Sequence, residues 1–213
     1  MNYLSEFAAL MAVFAVVIVA PGADFALVVR QSVVHGRRAA LVTSFGIGAS
    51  LLFHISYTLL GLGLIVSQSL ALFALIKWLG VAYLLYLGIK SFFEKPLDID
   101  EGALATEAGA RRSMSLAACF GAGFLTNALN PKPVLFFLSL FATLVSHETP
   151  VAVSFLYGIG MASALIAWFA GVTLFFTNPL VRARFKAWGR WFNRVTGATF
   201  VLLGLRLAAQ KAG

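Results

Sequence analysis

The chain has 213 residues, 61% hydrophobic and only 11% charged, with a mean hydropathy of +0.92 and a formal net charge of +8. Soluble globular domains carry about 25% charged residues, so this composition excludes one. At roughly 20 residues per span it accommodates five or six membrane helices and little else.

The basic residues are gathered in short connections between apolar runs. That is where a membrane protein places them against anionic lipid, and no basic helix face for nucleic acid exists outside them. Cys119 is the single cysteine, which excludes an intramolecular disulfide and a cysteine-based metal cluster. Its neighbours Ala117, Ala118 and Phe120 make it a small packing residue. No cofactor and no metal site is expected.

The apolar pattern predicts an all-α membrane protein with six transmembrane helices. The first spans about 4–29. It has no Lys or Arg before Arg30, so it lacks the charged start of a signal peptide and reads as the first helix of the mature protein. Pro21-Gly22-Ala23-Asp24 interrupts it. In lipid, backbone groups released by such a break need a partner in protein, water or ligand. Of the eight acidic residues, Asp24 alone reads as lying well inside an apolar run. A carboxylate there faces a partner, a cavity or an ion path, or it caps the helix that restarts after Gly22. The two readings are compatible.

The second span covers about 39–66 and places His54 mid-membrane with Tyr57 at i+3 on the same face. Proton relay and hydrogen-bonded packing are both open to this histidine. The third span covers about 70–93. Residues 94–115 then form a hydrophilic linker, expected in the cytoplasm, that carries Asp98, Asp100, Glu101 and Glu107.

The fourth span, about 116–145, is interrupted at Asn130-Pro131-Lys132-Pro133. The two prolines lack backbone donors and release carbonyls one turn earlier. Asn127 and Asn130 add neutral amides, and Lys132 adds a cation. Carbonyls and amides suit an ammonium, and helix N-termini suit a carboxylate. Together they describe a pocket for a zwitterion. A proline kink packed by its neighbours is the plain structural alternative. The fifth span covers about 150–176 and the sixth about 192–209.

Basic residues alternate between connections. The first connection carries Arg30, Arg37 and Arg38, and the third Lys90, Lys95, Arg111 and Arg112. The fifth carries Arg182, Arg184, Lys186 and Arg190. The second has none, and the fourth has only His147 and Glu148. Both termini are therefore expected outside and residues 94–113 inside. Lys77 and Arg206 depart from this pattern and are read as snorkelling to an interface. A five-span variant with a re-entrant first segment stays open.

The two halves are alike. Pro131 follows Pro21 by 110 residues, and Gly158-Ile159-Gly160 follows Gly46-Ile47-Gly48 by 112. Gly80 to Gly88 is echoed by Gly197 to Gly204. Residues 1–93 and 116–213 thus read as two three-helix repeats with discontinuous first and fourth helices. Three is odd, so the repeats are inverted in the membrane. Paired breaks in such repeats mark a transporter's central site. Pro21 and Pro131 are expected to face each other near the midplane, with Asp24 and Lys132 in reach of one another across the cavity.

Ala20-Pro21-Gly22-Ala23-Asp24-Phe25 resembles the Pro-Gly-Pro-Asp signature in the first helix of the LysE/RhtB-type amino-acid exporters. Phe124-Leu125-Thr126-Asn127-Ala128-Leu129-Asn130-Pro131-Lys132 resembles their second signature. The stretch from Gly80 to Gly88 and the overall length also match, so the resemblance covers essentially the whole chain. It departs at Ala23, where the family often has a second proline. The resemblance implies a multi-pass protein of the bacterial inner (plasma) membrane that exports amino acids, small neutral ones such as homoserine or threonine, from the cytoplasm by antiport with protons. Its form is closest to the homoserine/threonine-exporter branch. Substrate and proton pathway are expected at Pro21, Gly22, Asp24, His54, Asn127, Asn130, Pro131 and Lys132. The partners are then an amino acid, protons and the lipid bilayer, with a homo-oligomer left open. An intramembrane enzyme or an oligomeric channel are the alternatives. The enzyme would need a nucleophile and base at matched depth, and only His54 and Asp24 are available for that.

Overall fold

A computed structural model of the protein describes residues 2–68, 70–95, 102, 104, 106, 114–146, 148–176 and 178–209. Side chains at 62–74, 76–77, 131–132, 134–135, 179 and 186 lie outside the described set, as does most of the expected linker at 94–115. Among the described residues these helices follow in order: α1 (Tyr3–Val19), α2 (Ala23–Val34), α3 (Arg37–Gln68), α4 (Leu70–Phe93), α5 (Leu116–Ala128), α6 (Pro131–Leu144), α7 (Val151–Phe175) and α8 (Pro179–Ala209). No strand occurs among the described residues.

Both prolyl breaks are present. Pro21 cannot donate to Val17, so the Ala20 N–H closes on the Val17 carbonyl instead, at 3.3 Å. That contact tightens and ends α1. Gly22 is extended, with φ −147° and ψ −165°, and α2 restarts behind it at an angle of 58° to α1. The second break falls at Leu129 and Asn130, and Pro131 opens α6. Proline suits that first helical position, where no intrahelical donor is needed. Between α2 and α3 the chain turns through Gly36 at φ +87°, the left-handed region that a Cβ disfavours.

Among the described residues two helices are long and apolar enough to span a membrane, Arg37–Gly61 within α3 and Val151–Phe175. The bent pair α1 and α2 makes a third if taken as one span. Trp78–Phe93 and Leu116–Ala128 are shorter apolar helices. Large apolar side chains point outward along this bundle, among them Phe93 at 83%, Leu129 at 78% and Leu202 at 67% exposure. Water would penalise such a surface, whereas lipid accepts it.

The last helix differs from expectation. The basic stretch before residue 192 is not a loop, because α8 begins at Pro179 and runs 31 residues. Asn178 caps it by accepting the Leu180 N–H at 2.9 Å. Val181, Phe185 and Phe192 recur at helical spacing, so the segment is an amphipathic helix whose charges lower its hydropathy. Phe185 stacks on Phe25 at 4.7 Å and on Phe192 at 4.8 Å. Arg182 is buried, and its Nη1 donates to the Phe176 carbonyl at 2.8 Å.

Small residues set the helix spacing. Gly46 of α3 lies against the backbone of Phe120 in α5, and Gly123 of α5 lies against the Thr43 carbonyl of α3. Thr43 Oγ1 adds an interhelical bond to the Cys119 carbonyl at 3.1 Å, and Cys119 itself is fully buried. A Cβ on Gly197 of α8 would come within 2.8 Å of the Gly88 carbonyl oxygen of α4. Lipid gives no hydrophobic drive between helices, so such close backbone contacts supply the packing energy. The centre of the bundle is thereby α3, held between α5 and α7.

Candidate functional site

The two breaks meet. Asp24 lies in the first turn of α2, where the helix dipole favours an anion. The N-cap is Gly22, so Asp24 does not occupy the capping position that the sequence reading offered it. Instead, Asn127 Nδ2 donates to Asp24 Oδ2 at 2.8 Å across 103 residues of sequence. Asn127 comes from the last turn of α5, two residues before the second break.

The carbonyl freed by Pro131 is that of Asn127, four residues earlier. The sequence reading leaves this carbonyl to a cavity, but the protein takes it up. The Asn130 N–H donates to it at 3.1 Å, and His54 Nε2 does so at 3.1 Å. A carbonyl only accepts, so Nε2 carries a proton. Nδ1 of His54 pairs with the Tyr57 hydroxyl, as their common helical face anticipates. Tyr57, His54, Asn127 and Asp24 form one continuous polar chain from α3 through α5 to α2. His54 is 1% exposed and Asn127 4%, and burial makes such bonds costly to lose.

Beside this chain lies a cavity of about 120 Å³. Ala20, Gly22, Ala23 and Asp24 of the first break line it, with Asn127, Asn130 and Pro133 of the second. Phe25 lines it from α2, backed edge-on by Phe176 at 5.0 Å and face-on by Phe185. The buried Asn127 Oδ1 has no hydrogen-bond partner. An acceptor so placed, beside a carboxylate, is suited to a cationic donor. Lys132 is the second residue of α6, but its side chain lies outside the described set, and so does the expected pairing with Asp24.

One polar cluster has no counterpart in the sequence reading. Glu6, in the first turn of α1, accepts from the Ser146 N–H at 3.2 Å, from Thr149 Oγ1 at 2.9 Å and from the Tyr157 hydroxyl at 3.2 Å. Phe7 stacks on Tyr157 at 5.6 Å. Together they tie the start of α1 to the α6–α7 connection and to α7. The available signal was an acid in the opening turn of an apolar helix, with its partners more than a hundred residues away. No group of three or more potential metal ligands occurs among the described residues.

Residues 15–211 match the family model described as LysE type translocator. The chain belongs to the LysE-type translocator family. It is 29% identical over 199 residues to a threonine efflux protein of Salmonella typhi, covering 90% of this chain and 92% of that one. It is 27% identical to a homoserine/homoserine lactone efflux protein of Salmonella typhimurium over 197 residues, 90% of each chain. An uncharacterised Escherichia coli membrane protein is 30% identical over 191 residues, 88% of this chain and 82% of its own. No solved structure matches. As a LysE-type translocator the chain is a multi-pass protein of the inner membrane and a transporter rather than an enzyme.

Proposed function

We propose that this translocator exports neutral amino acids from the cytoplasm by proton antiport, using the cavity between the two breaks as its central site. The small amino acids in the relatives' names, threonine and homoserine, are the first probes. The observation that carries this reading is the bond from Asn127 to Asp24 at the cavity wall. It joins the two breaks and leaves the Asn127 Oδ1 acceptor beside a carboxylate. An α-ammonium fits between these two oxygens. The amides at the start of α2 complete the zwitterion site by facing the carboxylate.

Coupling follows from charge. Ionised Asp24 holds the ammonium, and protonation from outside removes that attraction as the substrate leaves. Loss of the proton to the cytoplasm restores the site. An isolated charge at mid-membrane costs about 2.5–3.5 kcal/mol or more, so Asp24 is stable only with a partner. The amino acid, the proton and Lys132 are proposed to take that role in turn. His54, one hydrogen bond from Asn127, connects the site to α3. The inverted repeats 1–93 and 116–213, joined by the cytoplasmic linker 94–115, would rock about this centre.

Purified protein in proteoliposomes tests this reading. A proton gradient should drive saturable counterflow of an amino acid, and Asp24→Asn should abolish it while the protein still inserts. Near-wild-type flux in well-inserted Asp24→Asn would remove Asp24 from the mechanism.

A further inference from the structure

We propose that the wall of the cavity away from the breaks is built for an apolar side chain, so that leucine-, methionine- or phenylalanine-like amino acids are preferred to threonine and homoserine. The inference rests on the amino-acid site just described and adds the chemistry of the side chain it selects.

The cavity lining is segregated. Its polar side chains, Asp24, Asn127 and Asn130, all lie at the two breaks. The rest of the described lining is apolar and includes side chains from four elements: Phe14 of α1, Leu51 of α3, Phe136 and Phe137 of α6, and Phe169 of α7. These side chains are 2–3% exposed, so the wall is packed from behind. Phe137 sits 5.9 Å from Phe14 and 5.1 Å from Phe136, ring centre to ring centre. An amino acid held by its ammonium and carboxylate at the breaks projects its side chain onto these rings.

A hydroxyl projecting onto these rings sheds its water and finds no hydrogen-bonding partner on them. Threonine and homoserine both carry one. A branched, thioether or aromatic side chain loses no hydrogen bond there and covers apolar wall. Apolar pockets discriminate by roughly 10–200-fold per methylene, so several methylenes of difference are ample for a measurable preference.

The test is competition against proton-driven counterflow of a labelled amino acid by full-length protein in proteoliposomes. Leucine, methionine, phenylalanine, threonine, homoserine and lysine are compared. At least one apolar amino acid should compete at about tenfold lower concentration than threonine and homoserine, in keeping with the pocket discrimination above. Phe169→Tyr, which adds a hydroxyl to the wall without removing the ring, should narrow that ratio. Threonine or homoserine competing as well as every apolar amino acid overturns this inference and leaves the export reading standing. A wild-type preference unchanged by Phe169→Tyr and by Leu51→Thr assigns selection to another surface and also overturns it. Transport of no amino acid at all overturns the underlying export reading and this inference with it.

Discussion

Asn127 carries three hydrogen bonds that join three helices. Its amide reaches Asp24 of α2, and its carbonyl takes His54 of α3 and the local Asn130 N–H. Asn127→Leu keeps the bulk and removes the donor to a part-buried carboxylate. The expected cost is about 1–3 kcal/mol, read as a lower unfolding midpoint in detergent and a loss of transport. Tyr57→Phe is a gentler change. It keeps the ring and deletes the hydroxyl that fixes Nδ1 of His54 as the acceptor, freeing the tautomer that presents Nε2–H to Asn127. Transport should weaken chiefly through a raised KM, with insertion unaltered. Unchanged kinetics in Tyr57→Phe would show that the tautomer has no bearing on the site.

At the scale of elements, α1 is held at its opening turn by Glu6 and beyond its middle by Phe14 against Phe137. Glu6→Gln swaps an oxygen that faces donors for an amide that repels them. Hydrogen bonds to charged groups contribute about 1.5–3 kcal/mol, so α1 should separate more readily from the α6–α7 connection. A cysteine placed at Leu10, which is fully buried, should then react faster with a water-soluble thiol reagent. Equal labelling with and without the substitution would show that Glu6 does not hold α1 in place. The contact between α3 and α5 is less forgiving. Gly46 and Gly123 each face opposing backbone, which cannot move as a side chain can. Gly123→Leu is expected to prevent assembly, seen as aggregation on detergent extraction.

For the whole molecule, sidedness follows from the basic connections. A cysteine introduced at Ser113 should label only from the cytoplasm, and tags at both termini only from outside. External labelling of the Ser113 position would reverse the assignment. The basic half of α8 fits an interfacial position, since Trp188 and Trp191 are 60% and 55% exposed on it and such rings favour the headgroup level. Arg182 on the same helix is buried against the Phe176 carbonyl, so at least one of these cations also serves packing.

Composition and local chemistry alone established a membrane protein, the position of both breaks and the identity of Asp24, His54 and Asn127 as polar residues in apolar surroundings. Each of these is a local property. A proline lacks its N–H wherever the chain later goes, and a carboxylate in an apolar run is conspicuous to inspection. The amphipathic start of α8 escaped because its charges dominate any windowed hydropathy, and only the aromatic cluster around Phe25 explains why that segment is a helix. Glu6 escaped because its partners lie 140 to 151 residues away. The same holds for the carbonyl of Asn127. Pro131 releases it by local geometry, but that His54 claims it, 73 residues away, depends on how α3 packs against α5. Tertiary packing chose the partners of the exposed groups because pairing across the bundle has no local signature in the chain.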